Sequence, residues 1–215
     1  MRYIKILCVL LLTFTATAGI LFEVPRLPIL NETIRVLYFH VPMWFTMIFL
    51  LLLSSVNAYR FISTKNIKYD LISYNYAHVG VYFGVLGILT GMVWANYTWG
   101  TFWTNDPKLN GSAIGLLIYF GYFILRNSIE DESKKAKVSS VYSVFAFSML
   151  IPLIFILPRL TDSLHPGNGG NPGFNVYDLN SQLRIVFYPA VIGFICLGLW
   201  IADVKHKLLK ITNKR

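Results

Sequence analysis

The residues best equipped for chemistry crowd into one short stretch, Trp94-Ala95-Asn96-Tyr97-Thr98-Trp99-Gly100-Thr101-Phe102-Trp103-Thr104-Asn105-Asp106, which separates two apolar runs. Indole rings offer large rigid faces at low entropic cost, so Trp94, Trp99 and Trp103 together make a platform for a flat macrocycle or another aromatic ligand. Tryptophan also collects at membrane–water interfaces because its ring is amphipathic, and that belt role is the ordinary alternative for each ring taken singly. A short helix across the connection would place Trp99, Trp103 and Asp106 on one face. Two histidines lie in other connections: His40 directly before Val41-Pro42, and His165 in the Pro-, Gly- and Asn-rich stretch from Leu164 to Phe174.

The elements that must position these residues are written in the composition. Hydrophobic residues make up 55% of the 215 and charged residues 13%, in long apolar blocks that define an all-α, polytopic membrane protein rather than a soluble fold. Six spans are expected, over Ile4–Phe22, Val36–Tyr59, Tyr74–Ala95, Gly111–Leu125, Val138–Leu157 and Leu183–Ala202. The fourth is the shortest and draws on Leu109 and Asn110 to cross. Pro152 and Pro189 predict kinks, and the residue before Pro42 is biased away from helix, which puts His40 at a bend or helix entry. The first block also has the form of a secretory signal, with Arg2 and Lys5 before an apolar core ending at Ala16-Thr17-Ala18. Its run continues through Phe22, which favours a retained anchor. Residues 1–215 form a single integral membrane domain, with 96–110 as its tryptophan-rich connection.

The net charge of +9 is topological rather than a nucleic-acid signal. Two Lys and Arg at the amino terminus, three in Arg60–Ser73, four in Arg126–Lys137 and five in the carboxyl tail fall on one side, leaving five of the 19 opposite. The positive-inside rule makes the crowded side cytoplasmic, with both termini there. The tail from Lys205 to Arg215 is placed to touch anionic head groups of the lipid bilayer. His40, the tryptophans and His165 then share the extracytoplasmic surface. Cys8 and Cys196 sit singly in apolar spans, so neither a disulfide framework nor a site for covalent c-type haem attachment exists.

The pattern Trp99-Gly100-Thr101-Phe102-Trp103-Thr104-Asn105-Asp106 resembles the tryptophan-rich WWD signature of the membrane haem-handling proteins of cytochrome c maturation, and within them the heme exporter protein C (CcmC) branch. Arg35-Val36-Leu37-Tyr38-Phe39-His40-Val41-Pro42 is similar to that branch's first histidine motif, and Leu164-His165-Pro166 to its second. Asn105 departs from the pattern, which usually has tryptophan before the aspartate; Trp94 or Phe102 could supply the missing ring. The resemblance implies non-covalent haem binding and delivery to a haem chaperone on the outer face of a bacterial inner (cytoplasmic) membrane, with an ABC-type membrane complex as partner.

On this reading His40 and His165 are the axial ligands of a haem b, through neutral imidazole nitrogens. Interfacial hydrogen bonding for His40 and simple solvation for His165 are the plainer roles. Haem propionates call for cations; of Arg26, Arg35, Lys108, Arg159 and Arg184, Arg35 matches the family motif, although cations near span ends also snorkel to lipid phosphate. Asp106 could orient a ligand, meet a partner protein, or cap a helix beginning at Pro107. His78 falls near the cytoplasmic end of the third span without a second histidine, and His206 lies in the lysine-rich tail. The loop Gly167 to Gly173 reads as mobile.

Without His-Glu-x-x-His, Gly-x-Ser-x-Gly or a phosphate loop with its lysine, the chain reads as a carrier and not an enzyme, and ATP dependence must come from a partner. The competing classes are a membrane b-type cytochrome, which would keep its haem and pass electrons, and a small-molecule permease with an aromatic gate.

Overall fold

The computed structural model describes residues 1–27, 29–165 and 179–212. Its helices are α1 (Arg2–Leu21), a 3-10 turn (Asn31–Val36) leading into α2 (Leu37–Thr64), α3 (Ile67–Trp99), α4 (Pro107–Asn127), α5 (Glu132–Ile151), a π-helical turn (Pro152–Ile156) continuing into α6 (Leu157–Leu160), and α7 (Ser181–Thr212). Six helical stretches are long and apolar enough to cross a membrane, the fourth with 21 residues because it begins at Pro107. The chain is an all-α multi-pass membrane protein.

Local chemistry explains where the helices stop. Lys65 closes α2 in the left-handed region with φ 56°, and the Asn66 side chain accepts from Lys68 N to start α3. Gly100, φ 76°, ends α3, a conformation glycine adopts without steric cost. A short helix over the tryptophan connection, which would have put Trp99, Trp103 and Asp106 on one face, does not form: Trp99 closes α3, and the chain from Gly100 to Asn105 is non-helical. Pro152 opens the π turn, in which the Leu157 amide reaches back five residues to the Pro152 carbonyl. Pro42 and Pro189 lie within continuous helices; His40 therefore sits in the first turn of α2, helical despite the proline that follows, because the preceding 3-10 turn already feeds the chain in.

The helices alternate in direction. One end joins the starts of α1 and α3 to the ends of α2, α4 and α7, as the contacts Lys5–Trp200, Asp70–Arg126 and Asn75–Ala202 show. The opposite end gathers His40, Trp94, Trp99, Asp106 and His165. Between them, α2 and α3 press together because glycines recur along α3: Gly80 faces Leu51, Gly84 faces Met47, and Gly87 faces Trp44. Small residues permit this approach where lipid supplies no hydrophobic drive for helix association.

Some of the buried polar groups pair within the bundle, while the hydroxyls of Thr46, Tyr119, Ser139 and Ser140 are buried without a hydrogen-bond partner. Arg126 meets Asp70 in a bidentate ion pair, 2.7 and 2.6 Å, and stacks its guanidinium 4.7 Å from the Tyr74 ring. The sequence reading left both charges in connections; the structure draws them into the packed ends of α3 and α4. Ser54 donates to the Ser73 carbonyl at 2.8 Å and also contacts the hydroxyls of Ser73 and Ser143 at 3.1 Å, tying α2, α3 and α5 together.

Candidate haem-binding site

His40 projects from the first turn of α2 against α3. Its Nδ1 lies 3.0 Å from Thr90 Oγ1, and the Thr90 hydroxyl donates its own proton to the Leu86 carbonyl at 2.8 Å. The threonine oxygen is therefore an acceptor toward the ring, which assigns the proton of the neutral imidazole to Nδ1 and the lone pair to Nε2. Trp44 and Trp94 meet this ring edge to face, with centroids 6.4 and 5.8 Å away. Gly91 makes the approach possible, since a Cβ there would stand 2.7 Å from His40 Cε1. Trp94 is held in turn by a 3.3 Å bond from its indole N–H to Thr33 Oγ1 in the 3-10 turn.

Asp106 organises the other half. Its Oδ1 accepts from the Lys108 and Leu109 amides at 2.9 and 3.2 Å, which is the expected cap of α4. The same carboxylate also reaches across to the segment after α6: Oδ2 accepts from Ser163 Oγ at 2.9 Å and Leu164 N at 2.8 Å, and Oδ1 lies 3.0 Å from His165 Nδ1. A carboxylate is an acceptor only, so His165 also carries its proton on Nδ1 and its lone pair on Nε2. Asp106 is 3% exposed. Burial works to raise its pKa, but the hydrogen bonds from His165, Leu164 N and Ser163 overcome it and hold the carboxyl well below the usual carboxylate range.

Both imidazoles thus have Nδ1 held by an oxygen partner and Nε2 left as the lone-pair nitrogen, a hydrogen-bonding pattern that also orients metal-binding histidines. The rings of Trp99 and His165 meet edge to face at 5.0 Å. Trp103 is 37% exposed; its N–H donates to Asn110 Oδ1 at 3.3 Å, and Asn110 Nδ2 donates to Asn105 Oδ1 at 2.7 Å. Asn105, where the family pattern has a ring, therefore anchors Trp103 through an amide relay. Phe102, a candidate to replace that ring, is exposed.

Arg35 stands differently from the sequence expectation. Its Nη1 donates to the Gly19 and Phe22 carbonyls at 2.8 and 2.7 Å, and its Nε to Glu32 at 2.8 Å. One guanidinium nitrogen, Nη1, therefore ties the end of α1 to the turn that delivers His40, which makes Arg35 a positioning residue. His78 lies in α3 among Tyr74, Tyr82 and Phe123, away from the tryptophan end. The loop Gly167 to Gly173, with Pro166, lies outside the described residues. Sequence reasoning missed Thr90, Gly91 and Ser163; four-residue spacing on α3 from Leu86 through Thr90 to Trp94 was the available signal.

Comparison with known proteins identifies the family. The profile of the family CcmC, heme exporter protein C, matches residues 1–214. The chain is similar to Heme exporter protein C of Bradyrhizobium diazoefficiens, 22% identical over 181 residues, covering 84% of this chain and 68% of that protein. It is similar to the Haemophilus influenzae protein of the same name, 26% identical over 145 residues (65% and 56%), and to that of Paracoccus denitrificans, 29% over 120 residues (54% and 50%). The matched stretch thus spans about half of two of these relatives. A family match over residues 1–214, together with six helices among the described residues long and apolar enough to span a membrane, makes this chain a member of the heme exporter protein C (CcmC) family.

Proposed function

We propose that this protein binds haem non-covalently at the tryptophan end and delivers it to a haem chaperone during cytochrome c maturation. The observation that carries the reading is the matched state of His40 and His165: each has Nδ1 committed to an oxygen acceptor, Thr90 or Asp106, and Nε2 available to iron. Bis-histidine ligation of a b-type haem follows from that pair. Trp94 and Trp99, edge-on to the two imidazoles, frame the macrocycle, and the exposed Trp103 faces the acceptor. Lys108, in the first turn of α4 beside Asp106, is the proposed propionate partner, while Arg35 acts through the turn it holds.

The positive-inside distribution supports cytoplasmic termini, an extracytoplasmic site and a bacterial inner membrane. An ABC-type complex supplies the energy that this chain has no motif to supply. The test is to purify the full chain from haem-replete membranes, record its visible spectrum, and add apo-chaperone. Six-coordinate low-spin absorbance that moves to the chaperone is the expected result. Haem that stays bound while cycling between redox states would make the protein a b-type cytochrome, and transport activity without haem absorbance would make it a permease.

A further inference from the structure

We propose a second binding site, for one anionic diacyl phospholipid, at the basic end of the bundle. Leu197, Trp200, Ile201, Val204, Lys205 and Leu208 recur every three to four residues along one face of α7 and line a groove of about 350 Å³. Its surface is almost wholly apolar and carries one ammonium. Lys205 Nζ stands 5.5 Å from the Tyr74 centroid and 6.0 Å from that of Tyr82. From α1, Lys5 Nζ stands 5.2 Å over Trp200.

Charge complementarity selects the occupant. Tyr74 is flanked by two cations, Arg126 at 4.7 Å and Lys205. Arg126 is neutralised by Asp70; Lys205, half-buried, has no carboxylate within ion-pair distance among the described residues. The neighbouring acid, Asp203, is engaged by Lys207 at 2.7 Å. A lysine drawn partly out of water beside aromatic faces is stabilised by an anion, and basic pockets between helices near a membrane surface take anionic head groups.

Length selects a lipid over a helix from another protein. The lining residues extend from Leu197 to Leu208, about 16 Å at the α-helical rise, which is half of a hydrocarbon core about 30 Å thick. The groove therefore matches one leaflet, with its cation in the turn nearest the head groups. A partner helix about 10–12 Å wide would need a longer and broader face.

The experiment is native mass spectrometry of the purified full chain, titrated with phosphatidylglycerol and with phosphatidylcholine of identical acyl chains. Retention of phosphatidylglycerol should exceed that of phosphatidylcholine, and Lys205→Gln and Lys5→Gln should each lower it about fivefold. Lys205→Arg should preserve the preference and shows that loss in Lys205→Gln is not misfolding. Lys207→Gln, which removes a lysine already paired with Asp203, should leave it unchanged. Equal retention of both lipids, a preference that survives in the Lys5→Gln/Lys205→Gln double variant, displacement by inorganic phosphate alone, or a co-purifying membrane protein that excludes lipid would each overturn the proposal.

Discussion

His165 Nδ1 and Asp106 Oδ1 lie 3.0 Å apart, and the same carboxylate caps α4. One side chain therefore sets both the start of a membrane helix and the tautomer of a histidine 59 residues away. Removing it should have separable effects. Asp106→Asn keeps a good N-cap but loses an acceptor oxygen, so haem binding should weaken while α4 persists. Asp106→Ala should lose stability as well, about 0.5–2 kcal/mol for the cap and about 1–3 kcal/mol for donors left unpaired. Thermal unfolding and haem titration, run on both variants, check the split.

The pH dependence of that carboxylate has a definite sign. Its folded pKa is depressed below the ordinary 3.8, so its stabilising contribution is fully present above that value and is lost as pH falls through the depressed folded value. Acid unfolding of wild type and Asp106→Asn should therefore differ by a constant amount above about pH 4 and converge only in stronger acid. Convergence between pH 5 and 7 would mean that the carboxylate is not held by these partners.

His40→Ala and His165→Ala should each move a six-coordinate low-spin spectrum toward five-coordinate or haem-free protein, with partial rescue by imidazole. Thr90→Val, which leaves both histidines in place, should weaken binding by about 10–100-fold by releasing the His40 tautomer. Unchanged spectra in both histidine variants would eliminate the ligand assignment.

Gly111 tests how the halves are held. A Cβ at this position would run into the Leu153 carbonyl in the π turn, and backbone cannot rotate aside as a side chain can. Gly111→Ala should push the α5–α6 segment from the start of α4 and separate His165 from Asp106, at a cost of about 1–3 kcal/mol. Gly121→Ala, which meets only the Tyr142 hydroxyl at 2.9 Å, is the control and should bind haem normally.

The Asp70–Arg126 pair should behave as a buried ion pair does. Arg126→Met alone leaves an uncompensated buried carboxylate and should cost about 3–5 kcal/mol; adding Asp70→Leu should recover most of it. Denaturation of the two variants in detergent measures the difference.

The proposed sidedness rests on charge counting, and reporter fusions check it. A cytoplasm-only reporter near Asn105 should be inactive, and the same reporter at the carboxyl terminus active.

Hydropathy, period and motif were sufficient for the six spans, the cap at Asp106 and the clustering of His40, the tryptophans and His165, because each is a local property of consecutive residues. No short helix runs from Trp99 to Asp106 for an equally local reason: Gly100 ends α3 in a left-handed turn, and Asp106 caps α4. What lay beyond the sequence was long-range. Thr90 and Asp106 fix two imidazoles only after α2 packs on α3 and the chain after α6 returns to α4. Arg35 turned from a candidate ligand contact into a clasp on α1, since its carbonyl partners lie 13 and 16 residues away. Asp70 and Arg126, polar residues at opposite ends of two helices, became a buried pair because an antiparallel hairpin brings those ends together. Lipid makes composition decisive for which segments cross the membrane, but it supplies little to choose among their packings. Close glycine contacts and satisfied polar groups make that choice, and both are properties of the assembled bundle.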